Sequence, residues 1–183
     1  MKVVETDLVG VVIITPQVFQ DTRGYFFESF QKDRYAKCIN LAFVQDNVSR
    51  SCQNVIRGLH HQTKHTQAKL VYVVGGAIFD IAVDIRKGSP TFGQWTGIIL
   101  DDQDHKQFYI PAGFAHGFSV LSDTADVVYK CTDYYDATSE LTIQWDDPDL
   151  NIDWLIQNPH VSDKDKQAKR LREIPEQLLP VYV

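Results

Sequence analysis

The sequence predicts a mainly β fold, a barrel or two-sheet sandwich carrying a few short peripheral helices. Short β-branched and aromatic runs recur along the chain, parted by Gly, Pro, Asn and Asp at the ~8–12 residue spacing of all-β domains. Helical periodicity is scarce. The strands implied are too many for one open sheet, which favours closure or stacking.

In order along the chain, strands are expected at Val9–Thr15, Tyr25–Phe30, Phe43–Ser49, Val55–Gln62, Lys69–Val74, Ala77–Ile85, Gln94–Leu100, Lys106–Ile110, Gly117–Leu121, Val127–Thr132 and Leu141–Trp145. Gly75-Gly76 reads as a tight hairpin, because both turn positions accept positive φ. Arg86-Lys87-Gly88-Ser89-Pro90 reads as a looser turn. Helices are expected at Lys32–Ile39 and at Ser162–Glu173, the second opening with the Ser-x-x-Asp of a capping box. From Pro159 to Val183 the chain turns more polar and richer in proline, as expected of a tail wrapping the barrel. A single domain over residues 1–183 follows from the length.

Apolar residues make up 44% and charged residues 23%, so a sizeable core can be buried. A formal charge of −6, with no basic stripe, argues against nucleic acid as a partner. An anionic small ligand would have to be met by a few local cations. Cys38, Cys52 and Cys131 form no CxxC pair and read as reduced thiols. The run Val9 to Ile14 is short for a signal-peptide core and follows Glu5 and Asp7. No stretch approaches the ~20 apolar residues that span a bilayer. A cytoplasmic protein without membrane partners is expected.

Alternation along strands exposes polar residues on otherwise apolar faces. In Ala77–Ile85 the odd positions are all apolar, while Asp80, Ala82 and Asp84 share the other side, which would face either a polar cavity or water. Lys69 shares a face with Val71 and Val73, and Tyr129 with Val127 and Cys131. An amine and a phenol would therefore enter an apolar interior, where polar groups need partners or chemistry. Strand-end snorkelling of Lys69 and simple core filling by Tyr129 are the structural alternatives.

His60 and His116 lie in glycine-containing contexts, Arg57-Gly58-Leu59-His60-His61-Gln62 and Pro111-Ala112-Gly113-Phe114-Ala115-His116-Gly117. The second segment resembles the second motif of the cupin barrels, which implies a jelly-roll barrel, the double-stranded β-helix. Metal-binding cupins place two histidines one residue apart, then a glutamate, in the first motif. Here Gln62 stands two after His60, and His61 alternates to the other face. The ligand set is incomplete and no metal is expected, leaving His60 and His116 free to carry protons. Simple alternation puts Arg57 and His60 on opposite faces; a bulge at Gly58 would bring both inside.

Several ordered motifs together resemble the dTDP-4-dehydrorhamnose 3,5-epimerase family over nearly the whole chain. They are Asp21-Thr22-Arg23-Gly24 with Phe26 through Glu28, Phe43-Val44-Gln45-Asp46-Asn47, Arg57-Gly58-Leu59-His60, and Gln67-Ala68-Lys69-Leu70-Val71. They continue with Ala82 to Arg86, Ser89 to Gly93, Ile110-Pro111, Gly113 to Phe118, and Tyr129-Lys130. The resemblance implies a cofactor-free epimerase acting on a dTDP-sugar ketone. His60 would be the base at C3 and C5, Tyr129 the acid on the opposite face, and Lys69 the stabiliser of the enolate oxygen.

Asp165 would pair with His60, whereas the residues alone favour its place in the Ser162 capping box. Asp80 would support His116 in the same way. Substrate-binding roles carry over to Arg23, Glu28, Gln45, Asn47, Arg57, Lys69, His116, Glu140 and Lys164, whose cations would hold the diphosphate. Tyr134 would touch the nucleotide or stand in as the acid. His61 departs from the aromatic usual in the family at that position. The resemblance also implies a homodimer, with the apolar N-terminal strands at its interface. Single-centre epimerases, ketoisomerases, a non-enzymatic sugar-binding cupin and a metal-dependent dioxygenase are the alternatives on the same barrel.

Overall fold

A computed structural model describes residues 1–39 and 41–182, so the final residue of the expected tail lies outside the described residues. In chain order the strands are β1 (Lys2–Glu5), β2 (Val12–Thr15), β3 (Val18–Asp21), β4 (Gly24–Phe27), β5 (Gln45–Cys52), β6 (Val55–Gln62) and β7 (Lys69–Gly75). There follow β8 (Ala77–Asp84), β9 (Trp95–Asp101), β10 (Gln107–Ile110), β11 (Phe114–Val120), β12 (Thr124–Cys131), β13 (Glu140–Thr142) and β14 (His160–Val161). Two short helices, α1 (Lys32–Tyr35) and α2 (Asp163–Lys166), lie outside the strands.

One sheet runs β1-β2-β10-β7-β12-β5 and the other β13-β6-β11-β8-β9, with β14 beside β6; β3 and β4 form a separate hairpin. This is the jelly-roll barrel. Alternation explains its three apolar layers. Val71, Val73, Ile78, Ala82, Phe108, Phe118 and Val127 fill the space between the sheets. The opposite side of β8, Phe79, Ile81 and Val83, meets Trp154, Leu171, Ile174 and Leu179 of the C-terminal segment. The opposite side of the first sheet, Val12, Ile14, Leu70 and Tyr109, is covered by Tyr35 and Ile39. Each fully buried Val, Leu, Ile or Phe contributes roughly 1.5–3 kcal/mol.

Several sequence expectations are corrected. Gly75-Gly76 makes no hairpin: β7 belongs to one sheet and β8 to the other. Gly76 has φ +79, its N–H donates to Asp102 (2.9 Å), and a β-carbon there would lie 2.0 Å from the Thr124 carbonyl oxygen. The diglycine therefore lets the chain cross between sheets against a neighbouring backbone. The first expected strand starts late, at Val12, because Gly10 at φ +91 sits in the turn closed by Val11 N–H to Leu8 O.

The strands β1, β3 and β14 were not legible; β1 is exposed throughout, so no buried face produces alternation. The Ser162–Glu173 helix is only α2, followed by a 3-10 turn at Leu171–Glu173. The Lys32–Ile39 helix shortens to Lys32–Tyr35. The Arg86–Pro90 turn is organised by Asp84, which accepts hydrogen bonds from Arg86, Ser89 and Thr91. Burial opposes ionisation of the Asp84 carboxyl, yet these donors hold its pKa at about 2. Asp84 is thus structural rather than a cavity-facing group.

Candidate active site

Interior-facing residues of both sheets converge at one end of the barrel on a cavity of about 270 Å³. From the first sheet come Gln45 and Asn47 of β5, Lys69 of β7 and Tyr129 of β12; from the second come His60 of β6, His116 of β11 and Glu140 of β13. Tyr129 pairs in register with both Asn47 and Val71, and Lys69 with Cys131. The topology thereby sets the phenol and the amine side by side, with Lys69 Nζ 6.0 Å from the Tyr129 ring centre.

Arg57 joins them through a bulge. His116 pairs with His60, but Phe118 pairs with Arg57, so two steps along β11 match three along β6. Gly58 sits in this irregularity at φ +130, and a β-carbon on it would lie 2.5 Å from the Gly117 Cα. The close contact of two glycines therefore brings Arg57 and His60 to one face. Both border a smaller recess with Ser49, Lys69, His116 and Tyr129. Arg57 Nε donates to Ser51 Oγ (2.9 Å).

His60 Nε2 lies 2.8 Å from Asp165 Oδ1, the carboxylate being almost fully buried. Asp165 also donates its backbone N–H to Ser162 Oγ (3.2 Å). Ser162 thus caps α2 through the Asp165 backbone while the carboxylate turns to His60. Burial alone would raise the Asp165 carboxyl; the hydrogen bonds from His60 and Ser162 and the charge of Lys164 bring it below the usual aspartate value. Lys164 Nζ bonds Glu140 (2.7 Å), joining α2 to the cavity wall.

A second pair, His116 Nε2 to Asp80 Oδ1 at 2.7 Å, is buried on both sides. Burial lowers the His116 pKa, with Asp80 acting against that shift. Loss of water around the Lys69 ammonium lowers its pKa, and burial raises that of Tyr129. The lysine is an easily polarised donor; the tyrosine stays protonated near neutral pH.

Arg57, Lys164 and Asp165 border recesses beside this cavity, whereas three expected substrate-binding residues, Arg23, Glu28 and Tyr134, line neither the cavity nor those recesses. Arg23 is at the tip of the β3–β4 hairpin, 88% exposed at its side chain and paired with Asp21. Glu28 pairs with Arg34 (3.1 Å). Tyr134 and Tyr135 are both exposed, but it is Tyr135 that lines the cavity, its hydroxyl donating to Glu140 (3.2 Å). Alternation says nothing inside a loop, so the sequence could not choose between adjacent tyrosines. Their loop is fastened by Gln67 Nε2 to Asp133 O (2.8 Å), by Asp136 N–H to Gln62 Oε1 (2.8 Å), and by Tyr135 N–H to Gln45 Oε1 (2.9 Å). Gln62, standing where a metal-binding cupin has its second histidine, is therefore a loop fastener. Among the described residues, no three His, Cys, Asp or Glu side chains are grouped to hold a metal ion.

His61 is buried, with Nδ1 3.2 Å from the Phe114 carbonyl oxygen. Burial drives its pKa down to about 4, so it is a neutral wall residue. The arrangement as a whole offers a carboxylate-oriented imidazole on one sheet, a protonated phenol and a lysine amine on the other, and a cavity between them.

The sequence matches the family described as dTDP-4-dehydrorhamnose 3,5-epimerase over residues 5–173. It is 50% identical to a dTDP-4-dehydrorhamnose 3,5-epimerase of Neisseria gonorrhoeae, over 92% of this chain but 52% of that protein, so the chain spans about half the length of that relative. It is 47% identical to the enzyme of the same name from Methanothermobacter thermautotrophicus, covering 95% of this chain and 96% of that one. A solved dTDP-6-deoxy-D-glucose-3,5-epimerase from Legionella pneumophila, in complex with dTDP-4-keto-L-rhamnose, superposes with a TM-score of 0.97. Identity is 52%, and the match covers 100% of this chain and 98% of that one.

Proposed function

The chain belongs to the dTDP-4-dehydrorhamnose 3,5-epimerase family, and on that premise we propose that it inverts C3 and C5 of dTDP-4-keto-6-deoxy-D-glucose, giving dTDP-4-keto-L-rhamnose. The observation that carries the reading is the His60–Asp165 pair facing Tyr129 and Lys69 from the opposite sheet. Inverting a centre requires a base on one face of the sugar and an acid on the other. His60 takes the proton from the carbon beside the C4 ketone; Asp165 orients the ring and offsets the charge formed on it. The electron pair moves onto the C4 oxygen, where Lys69 supplies a preorganised donor, an interaction worth on the order of 3–4 kcal/mol. Tyr129 returns a proton to the opposite face, and solvent exchange resets both groups. The same cycle acts at C3 and at C5, both acidified by the one ketone.

His116, supported by Asp80, and Arg57, Gln45, Asn47, Glu140 and Lys164 are assigned to substrate binding. Their location around or beside the cavity supports this. Arg57 and Lys164 are suited to the diphosphate. Tyr135 takes the place first given to Tyr134, whose exposure also favours Tyr129 as the proton donor. Neither a cofactor nor a metal enters the cycle; full activity in excess chelator is the expected check. Catalytic groups drawn from both sheets and from α2 support one domain over residues 1–183.

Arg23 and Glu28 are assigned to a second copy's cavity in a homodimer. The support is the hairpin's outward face, where Phe19 and Phe26 pair across the strands at 59% and 69% exposure. A charged nucleotide sugar does not cross a bilayer unaided, so a cytoplasmic location is proposed with it.

The test is incubation with the 4-keto sugar in D₂O, following deuterium by NMR. Label at C3 and C5, lost in His60→Ala, is the expected result. Label at one carbon would mark a single-centre epimerase, and no label would overturn the assignment. Binding of the dTDP-sugar without turnover by the wild type would favour the sugar-binding alternative.

A further inference from the structure

The β3–β4 hairpin forms a sheet of its own, with no ladder to either face of the barrel among the described residues. Isolated two-stranded hairpins are marginal in water, so side chains must hold this one in place. Tyr25, half exposed, and the more buried Phe27 lie on one side of it against a single ring, that of His105 in the β9–β10 loop. The His105 centroid is 4.2 Å from that of Tyr25 and 4.8 Å from that of Phe27, the second pair being stacked at 29°. His105 is 4% exposed although it lies in a surface turn.

Its loop is stiff. Asp101 Oδ1 accepts from the backbone N–H groups of Gln103 (2.9 Å) and Asp104 (2.7 Å), and Asp102 Oδ2 accepts from Gly76 N–H. His105 itself is at φ +52, a left-handed conformation uncommon for residues with a β-carbon. A strained position persists where its surroundings over-determine it. The aromatic pair on the hairpin provides that surrounding, and in return the imidazole fixes the hairpin's pitch.

We infer that His105 is a positioning residue for substrate binding: by seating Tyr25 and Phe27 it aims the hairpin tip, and with it Arg23, at the diphosphate of the nucleotide sugar. This rests on the binding role proposed for Arg23. His105 touches neither the cavity nor any group of the proton-transfer set, so its effect travels through the arm alone.

The experiment is steady-state kinetics on the full-length protein with the dTDP-4-keto sugar, for Arg23→Ala, His105→Ala, His105→Phe and the double variant Arg23→Ala/His105→Ala. Loss of one charged contact to phosphate raises KM about tenfold or more in Arg23→Ala. His105→Ala is expected to raise KM about fivefold, the size of a lost aromatic contact, with kcat unchanged. His105→Phe, which keeps a ring, returns KM most of the way. The double variant is no worse than Arg23→Ala, because a misaimed arm without its arginine has nothing left to lose.

A residue serving only barrel stability would lower the melting temperature and the active fraction, and would leave KM alone. Unchanged KM in His105→Ala, or additive effects in the double variant, overturns the positioning role. Unchanged KM in Arg23→Ala overturns instead the binding role of the arm on which it rests.

Discussion

A proton carrier is defined by what its neighbours let it do, and His60 and His61 show this in adjacent positions. His60 has a buried carboxylate at 2.8 Å; His61 has a backbone carbonyl and a dry surrounding. Removing the acid partner separates the two halves of the proposed cycle. In Tyr129→Phe the base still abstracts, and the only proton returned comes from the same face. Deuterium should therefore wash into the sugar while inversion falls by ~10²–10⁴, the usual worth of a positioned acid. Inversion at the wild-type rate in this variant would remove Tyr129 from the mechanism. His61 carries a different prediction, on stability. Its folded pKa of about 4 lies below the ordinary 6.5, so the unfolded chain binds the extra proton between those values. Stability contributed by neutral His61 is therefore complete above pH 6.5 and declines as pH falls towards 4. The loss is on the order of 3 kcal/mol, since one pKa unit is about 1.4 kcal/mol. In His61→Phe the urea midpoint should vary less across that window; an unaltered profile would mean that other groups set it.

Strands and turns show where the sequence could be read and why reading stopped. β6 ran to its expected ends because it is buried along most of its length and both flanks are turns. Lys69 and Tyr129 were legible as polar residues on apolar faces, Asp80 only as a member of a strand side that would face a cavity or water, and the structure buries Asp80 against His116 and sets Lys69 and Tyr129 in the cavity wall. The Gly75-Gly76 junction was misread because positive φ serves a hairpin and a sheet-to-sheet crossing equally well, and only tertiary partners distinguish them. Arg57 needed the bulge that alternation alone does not contain. Tyr135 was missed because its direction is set by hydrogen bonds that its own N–H donates to Gln45 and that of Asp136 donates to Gln62, both acceptors distant in sequence. The bulge itself gives the element-scale prediction. Gly58→Ala adds a β-carbon 2.5 Å from the Gly117 Cα at a φ that L side chains rarely adopt. It should cost at least about 2 kcal/mol and push β6 from β11, separating His60 from its partners. Thermal melting and turnover should fall together; a stable variant with normal turnover would show that the two strands can part without harm.

Across the whole molecule, a chain of formal charge −6 is asked to hold a dianionic diphosphate. Arg57 and Lys164 supply part of the answer from beside the cavity, but Arg23 in the single chain stands outside, paired with Asp21. A two-fold dimer resolves the geometry, since an isologous contact gives each arm to the other copy and counts every buried ring twice. Phe19 and Phe26 are the rings on the hairpin's outward face, and at 59% and 69% exposure each brings to an interface the larger part of the roughly 150–250 Å² that an aromatic side chain buries. The native mass should then be about twice 20.9 kDa by sedimentation equilibrium. Phe19→Glu/Phe26→Glu sets four carboxylates against one another in the dimer and should sediment as a monomer. Because the base, acid and lysine all belong to one barrel, the variant should lose affinity for the dTDP-sugar far more than it loses proton exchange at saturating substrate. A variant that stays dimeric with normal KM would place the interface elsewhere, with β1, exposed along its whole length at the edge of its sheet, as the next surface to test.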